Sequence, residues 1–183
     1  MVGLPYFLAV AVLVTAVAAW FDWRTGEMPN AVTLGPLLLA PVAHGVVTAL
    51  AGGPLQAAVE AAGYSVLGAA VCALVPMGLY RAAAIGGGDV KLFAALGALT
   101  QTLIGVEAEF YACLAACVIA FGALAYEGKL FKVLGNTFRL AVNPFLPKEK
   151  RREVTPEMMT WARFGPAIFV GATAAAVLHW RSP

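Results

Sequence analysis

Two aspartates, Asp22 and Asp89, are the residues of this chain best suited to chemistry. Asp22 ends one apolar run, in Phe21-Asp22-Trp23-Arg24-Thr25-Gly26-Glu27-Met28-Pro29-Asn30. Asp89 begins another, in Ile85-Gly86-Gly87-Gly88-Asp89-Val90-Lys91-Leu92. A carboxylate bordering so much apolar sequence is costly and marks a functional candidate. Two carboxylates that share a site cannot easily both ionise, so one keeps its proton. Such a pair can hydrolyse an amide: the ionised member takes a proton from water while the protonated member donates to the carbonyl oxygen. The pair titrates as a unit, so the sequence does not assign acid and base. This chemistry asks for no metal and no cofactor. Each residue taken alone also has a plainer explanation. Asp22 could be the first polar residue after a span, paired with Arg24, and Asp89 could cap a helix.

The neighbours of the two acids are candidates for support. Three consecutive glycines are poor helix formers, at about 1 kcal/mol each relative to Ala. Gly86, Gly87 and Gly88 therefore point to a backbone that bends or closely approaches another chain, such as a peptide substrate. Lys91 could hold a loop by a hydrogen bond or act on a carboxylate; a snorkelling Lys at a helix end is the simpler role. Arg24 could bind lipid phosphate or help position Asp22. Asn30 could hydrogen-bond across the Asp22 loop or, with Pro29, only open the next helix.

The elements that must position these residues follow from composition. Of 183 residues, 61% are hydrophobic and only 12% are charged, against roughly 25% charged in a soluble domain. Too few charges remain to coat a water-facing surface, so the expected solvent is lipid. Six apolar runs stand out, at residues 4–21, 31–51, 61–80, 90–104, 108–126 and 164–180. Each is near the length needed to cross the hydrocarbon core, roughly 17–25 residues. Lipid offers no hydrogen-bond partners, so the runs must be helices. The fourth is short, as suits a helix that starts below the membrane surface after a Gly-rich entry. The expectation is an all-α polytopic membrane bundle of six transmembrane helices, one domain over residues 1–183.

Orientation follows from the basic residues. With the N-terminus outside, every Lys and Arg except Arg181 falls at the cytoplasmic side, and the outer loops carry Glu60, Glu107 and Glu109. That asymmetry favours both termini outside and puts both aspartates at the cytoplasmic edge. No Lys or Arg precedes Arg24, so the first run reads as a retained helix rather than a cleaved signal. The polar stretch 127–163 reads as a cytoplasmic segment. Its first part has the spacing of an amphipathic helix on the inner leaflet, and the basic cluster at 148–152 would favour anionic lipid head groups. Thr155, Pro156 and Glu157 read as a helix start. A plain basic linker is the alternative.

D-x-R followed by P-N, and then G-x-G-D-x-K, resembles the type IV prepilin peptidases, a family of GxGD membrane aspartyl proteases. Asp22, Arg24, Pro29 and Asn30 match the first pattern; Gly86, Gly88, Asp89 and Lys91 match the second. Arg163-Phe164-Gly165-Pro166 also resembles the family's C-terminal end. The resemblance implies an aspartic endopeptidase that cuts the leader of a prepilin-like, membrane-inserted substrate at the cytoplasmic face of a bacterial inner membrane. It implies a substrate with a short basic leader ending in Gly, then an apolar helix with a Glu near its start. Larger members carry a cytoplasmic domain with paired CxxC motifs, linked to N-methylation. This chain has no CxxC and no room for that domain between runs one and two. It therefore resembles the short, peptidase-only members of tight-adherence (Flp-type) pili, and the expectation is cleavage without methylation. Preflagellin and pseudopilin leaders stand as alternative substrates.

Other classes find less in the sequence. A small proton-coupled transporter would place its acids near the bilayer midplane, with broken helices there. A non-catalytic assembly subunit could use small-residue helices such as 68–73 and 171–176 to pack on partners, but a bundle needs these internally as well. There is no HExxH zinc motif, and no nucleic-acid partner is expected. Cys72, Cys113 and Cys117 lie in apolar runs and read as small buried side chains. His44 and His179 stand alone in sequence and read as packed or interfacial residues.

Overall fold

Leu4–Thr25 (α1), Asn30–Leu50 (α2), Leu55–Arg81 (α3), Gly87–Tyr126 (α4) and Gly165–His179 (α5) form the computed structural model, which describes residues 2–82, 84–128, 133 and 163–180. The described residues are helical with short connections and include no strand. Two units are distinguished. One is Met1–Ala116 with Arg163–Pro183, and it holds the contacts treated below. The other is Cys117–Ala162, whose described part is the last turns of α4 and a left-handed Gly128 (φ 65°). Most of the expected segment 127–163, including the basic cluster and the Thr155 helix start, lies outside the described residues.

The surface of α1–α4 is apolar. Leu38, Leu50, Leu55 and Leu103 are each more than 70% exposed, while Thr15, Thr33, His44 and Ser65 are buried. Water would reverse that distribution. The four helices α1–α4 are each long and apolar enough to cross a membrane, and α5 is a shorter apolar helix.

α4 is broken. Gln101 has φ 62° and ψ −177°, outside the helical region. In a straight helix residues 97 and 105 would lie about 12 Å apart. Instead, a Cβ built on Gly105 would come within 3.0 Å of the Gly97 Cα. The chain therefore doubles back at Gln101. The fourth and fifth apolar runs are separate helical arms, and the reversal falls a few residues earlier than the runs suggest.

The first arm of α4 is the centre of the bundle. Residues 92–100 are buried without interruption, so every face of this arm meets protein, as an all-round apolar helix requires. Glycines allow the closest approach. A Cβ on Gly68 of α3 would lie 2.2 Å from the Gly97 carbonyl oxygen, and one on Gly97 would lie 2.3 Å from the Gly68 oxygen. On the second arm, a Cβ on Gly171 of α5 would lie 2.4 Å from the Ala108 oxygen. These helices pack backbone to backbone, as small residues permit in membranes.

The break at Gln101 frees carbonyls that a continuous helix would bond, and in a lipid-embedded bundle they need donors. Ser65 Oγ donates to the Ala98 oxygen at 2.6 Å. His44 Nε2–H donates to the Leu99 oxygen at 3.0 Å. Within the arm, Thr100 Oγ1 also donates back to the Leu96 oxygen at 2.8 Å, a local bond four residues along the same helix. His44 is held by a stack on Phe7 of α1, with ring centroids 3.7 Å apart. It is a packed residue, as expected, and it also caps a helix from another helix. His179 does have a side-chain partner. The chain reversal brings Glu107 to it, 72 positions away. Of the cysteines, Cys72 is buried, Cys113 is intermediate and Cys117 is exposed, so the buried expectation holds in full for Cys72 alone.

His44→Phe keeps a ring on Phe7 but leaves the Leu99 carbonyl without its donor. The expected cost is about 1–3 kcal/mol, read as a lower melting temperature of the detergent-purified protein. His44→Gln, which retains an N–H, should lose less. An unchanged melting temperature in His44→Phe would show that the carbonyl finds another donor.

Candidate active site

Asp22 lies inside the last turn of α1, three residues before its end, rather than beyond it. Gly26 stops the helix with a left-handed φ of 73°, and its N–H donates to the Asp22 carbonyl oxygen at 3.0 Å. Only a residue tolerant of positive φ closes a helix in this way. Thr25 Oγ1 then bonds Phe21 O at 2.8 Å and Glu27 O at 3.1 Å. The connection to α2 is thus a built turn. Pro29 is the N-cap of α2 at φ −58°, close to the value its ring imposes, and Asn30 is the first helical residue.

The Asp22 carboxyl is buried at 7% exposure. Its Oδ2 accepts the Gly165 N–H at 2.9 Å, from the first turn of α5. A helix N-terminus has free N–H groups and suits a carboxylate. The approach requires glycine, because a Cβ at 165 would lie 2.8 Å from Asp22 Oδ2 and 2.9 Å from Asp22 Cβ.

Asp89 is the third residue of α4. Its Oδ2 accepts the Gly86 N–H at 2.9 Å, the back-bond that an acid at this position makes in a capping box. The plain capping role is therefore real, but it uses only one oxygen. Oδ1 is buried and has no hydrogen-bond partner among the described residues. A buried polar atom left without a partner is uncommon and calls for a functional explanation.

Gly86, Gly87 and Gly88 make no sharp bend, since none has positive φ. Gly87 and Gly88 instead begin α4. The tightest of the three is Gly88, where a Cβ would meet the Met28 Cβ at 3.3 Å. Lys91 Nζ donates to Asn30 Oδ1 at 2.9 Å. The bond joins the starts of α4 and α2.

These parts surround one cavity of about 310 Å³, lined by Asp22, Gly26, Glu27, Met28, Asn30, Gly86, Gly87, Gly88, Asp89 and Lys91. That is at the lower end of the usual size for a ligand pocket. Both acids are thereby brought to one place, and the three glycines leave their stretch of its wall without side chains. Arg24 and Pro29 are not in the wall. Arg24 lies over the Trp20 ring, 4.5 Å from its centroid, and Pro29 acts through the start of α2. Gly26, Glu27 and Met28 line the cavity although the sequence reading does not single them out, and Gly165, noted there only within the Arg163–Pro166 resemblance, contacts Asp22. A glycine just after an apolar run is a helix-stop signal, and that signal identifies Gly26. A larger recess of about 940 Å³ between α1 and α5 is apolar and contains neither acid.

The model of the type IV leader peptidase family matches residues 9–122. The chain belongs to this family. The matched range contains both Asp22 and Asp89 and runs from α1 through the reversal at Gln101 into the second arm of α4. No match was found among curated proteins or among solved structures. Family membership and the apolar helices together make the chain a multi-pass membrane protein and a peptidase by family, with a prepilin-like substrate implied. α5 and its Gly165 lie beyond the matched range.

Two outcomes follow for a leader peptidase built this way. Gly165→Val should push the Asp22 carboxyl aside and lower leader processing by about a hundred-fold, the effect of a 1 Å misplacement at a reacting centre. The protein should still accumulate in membranes; normal processing would show that the Gly165 contact is dispensable. Lys91→Met and Asn30→Ala remove the same bond, so the double variant should process leaders no worse than the weaker single variant. Additive losses would mean that the two residues act separately.

Proposed function

We propose that the chain is an aspartic endopeptidase that removes the short basic leader of an Flp-type prepilin. The observation that carries this reading is the pair of acids on one cavity wall, each holding a single backbone donor. One oxygen of each carboxyl fixes its orientation, and Asp89 keeps a buried second oxygen for water or substrate.

In the proposed cycle a water between Asp22 and Asp89 gives a proton to the ionised carboxylate and attacks the scissile carbonyl carbon. The other aspartate donates its proton to the carbonyl oxygen, which forms a tetrahedral diol. On collapse the newly protonated carboxyl delivers its proton to the leaving nitrogen and the C–N bond breaks. A diol hydroxyl returns a proton to the second aspartate, so the pair ends with one proton, as it began. Gly86, Gly87 and Gly88 offer the unwound peptide room and backbone, and Lys91 with Asn30 holds the wall in place. Arg24 acts at the membrane surface and Pro29 sets the entry to α2.

The reading treats residues 1–183 as one membrane domain with six spans, counting the two arms of α4 and α5, in a bacterial inner membrane. Both termini are outside and the cavity faces the cytoplasm, with the basic cluster at 148–152 on anionic lipid head groups. Cleavage proceeds without N-methylation: only Gly26–Pro29 join α1 to α2, and no CxxC occurs. Transport is disfavoured because the acids stand at helix ends rather than midway along them.

Co-expression with an Flp-type prepilin tests the reading by the mobility shift of leader loss. Wild type should process the prepilin. Asp22→Asn and Asp89→Asn should each lose at least about a hundred-fold, since general acid–base catalysis contributes roughly 10²–10⁴. Processing by both variants would end the aspartic mechanism.

A further inference from the structure

Glu27 is the one acid of the cavity wall that the proposed reaction does not use. It follows Gly26 in the turn between α1 and α2, and its backbone is held on both sides by Thr25: its N–H reaches Thr25 Oγ1 at 3.3 Å, and its carbonyl accepts from the same hydroxyl at 3.1 Å. Met28 anchors the same turn against Gly88. The turn is therefore a fixed mount, and the carboxylate it carries is exposed and makes no hydrogen bond or ion pair among the described residues.

The charge around it is unbalanced. Among the described residues the wall carries Asp22, Glu27 and Asp89 against one cation, Lys91, whose ammonium is engaged by Asn30. Arg24, three residues from Glu27, is drawn off over Trp20, and Arg81 ends α3 outside the lining. Asp89 Oδ1, in a side chain more than nine-tenths buried, has no donor in the same cavity. Among the described residues the cavity is thus short of positive charge and of hydrogen-bond donors, and a ligand that brings both would complement it.

We infer that Glu27 is a specificity residue that pairs with a Lys or Arg of the peptide substrate, on the leader side of the scissile bond. The side follows from position. Asp22 is in the last turn of α1, and Glu27 lies past the helix end in the connecting turn. A substrate whose mature part runs as an apolar helix into the bilayer passes the aspartates first. What reaches Glu27 is the stretch leading away from the membrane. This role rests on the peptidase reading above and adds the residue that senses leader charge.

The test uses the full-length protein in lipid nanodiscs. Its substrates are three synthetic prepilin-like peptides that differ only in carrying Lys, Gln or Glu within the four positions before the scissile bond. The readout is the ratio of kcat/KM between peptides within one preparation, which is independent of how much enzyme is folded. Wild type should prefer the Lys peptide over the Gln peptide by roughly two- to five-fold, the scale of a solvent-accessible ion pair. Added salt should compress that preference. Glu27→Gln should bring the ratio to one, and Glu27→Lys should turn preference toward the Glu peptide. An unchanged Lys preference in Glu27→Gln overturns the assignment while leaving the peptidase reading intact. Failure of wild type to cut any of the peptides overturns both.

Discussion

A helix that ends inside a lipid-embedded bundle has free backbone groups at both ends and no water to satisfy them. The first arm of α4 is such a helix, and the rest of the structure is arranged around that constraint. At its start the Asp89 carboxyl accepts the Gly86 N–H. At its end Ser65 and His44, from α3 and α2, donate to the carbonyls that the break at Gln101 releases. Phe7 of α1 holds His44 in place. Two helices therefore supply donors to the far end of the arm, α1 steadies one of them, and residues 92–100 between the two ends are buried throughout.

The same rule builds the candidate site. α5 begins at Gly165, and its first N–H is satisfied by Asp22 rather than by water. Each acid thus closes a helix N-terminus with one oxygen, Asp89 for its own helix and Asp22 for another. The Asp22 bond would not form with a bulkier residue in place of Gly165, whose Cβ would overlap the Asp22 carboxyl. The hydrogen bonds that complete the fold are also the ones that aim the carboxyls, so capping and positioning are one arrangement. That explains why the plain capping reading of Asp89 and the catalytic proposal do not compete. A carboxyl has two oxygens, and the helix start needs only one.

Much of this is legible in the sequence because membrane physics leaves few choices. Apolar runs must be helices, and the helices follow the runs to within a few residues except at α3, which starts at Leu55, and at the second arm of α4, which starts just after Gln101. Asp22, Asp89 and the glycine triplet can be read because an acid or a glycine run is anomalous against an apolar background. What stays hidden depends on contacts distant in sequence. His44 meets Leu99 across 55 positions, Gly165 meets Asp22 across 143, and Glu107 meets His179 across 72. No local pattern records such meetings. The glycine triplet reads in sequence as a bend or as a close approach to another chain; there is no bend, and Gly87 and Gly88 are helix-start residues. Absence of a side chain, rather than unusual backbone, is what the cavity uses. Glu27 and Met28 escape a sequence reading for the opposite reason: they sit in an ordinary turn and matter only because α4 begins opposite them.

The distribution of positive charge around the cavity is the last consequence of the packing. Lys91 and Arg24 lie close in sequence to the two acids and could neutralise them. Lys91 lies two residues from Asp89, yet its ammonium is turned to Asn30. Arg24 lies two residues from Asp22, yet its guanidinium stacks on Trp20. Both cations are satisfied by groups other than the carboxyls, and both contacts also pin the helix ends that carry them. Among the described residues the acids have backbone N–H donors alone, which orient a carboxyl without giving it a counter-ion. The proposed reaction needs a cavity of this kind, with both carboxyls on its wall. Among the described residues the cavity also retains an uncompensated negative field at its mouth, toward which a basic segment of peptide would be drawn before any bond is broken.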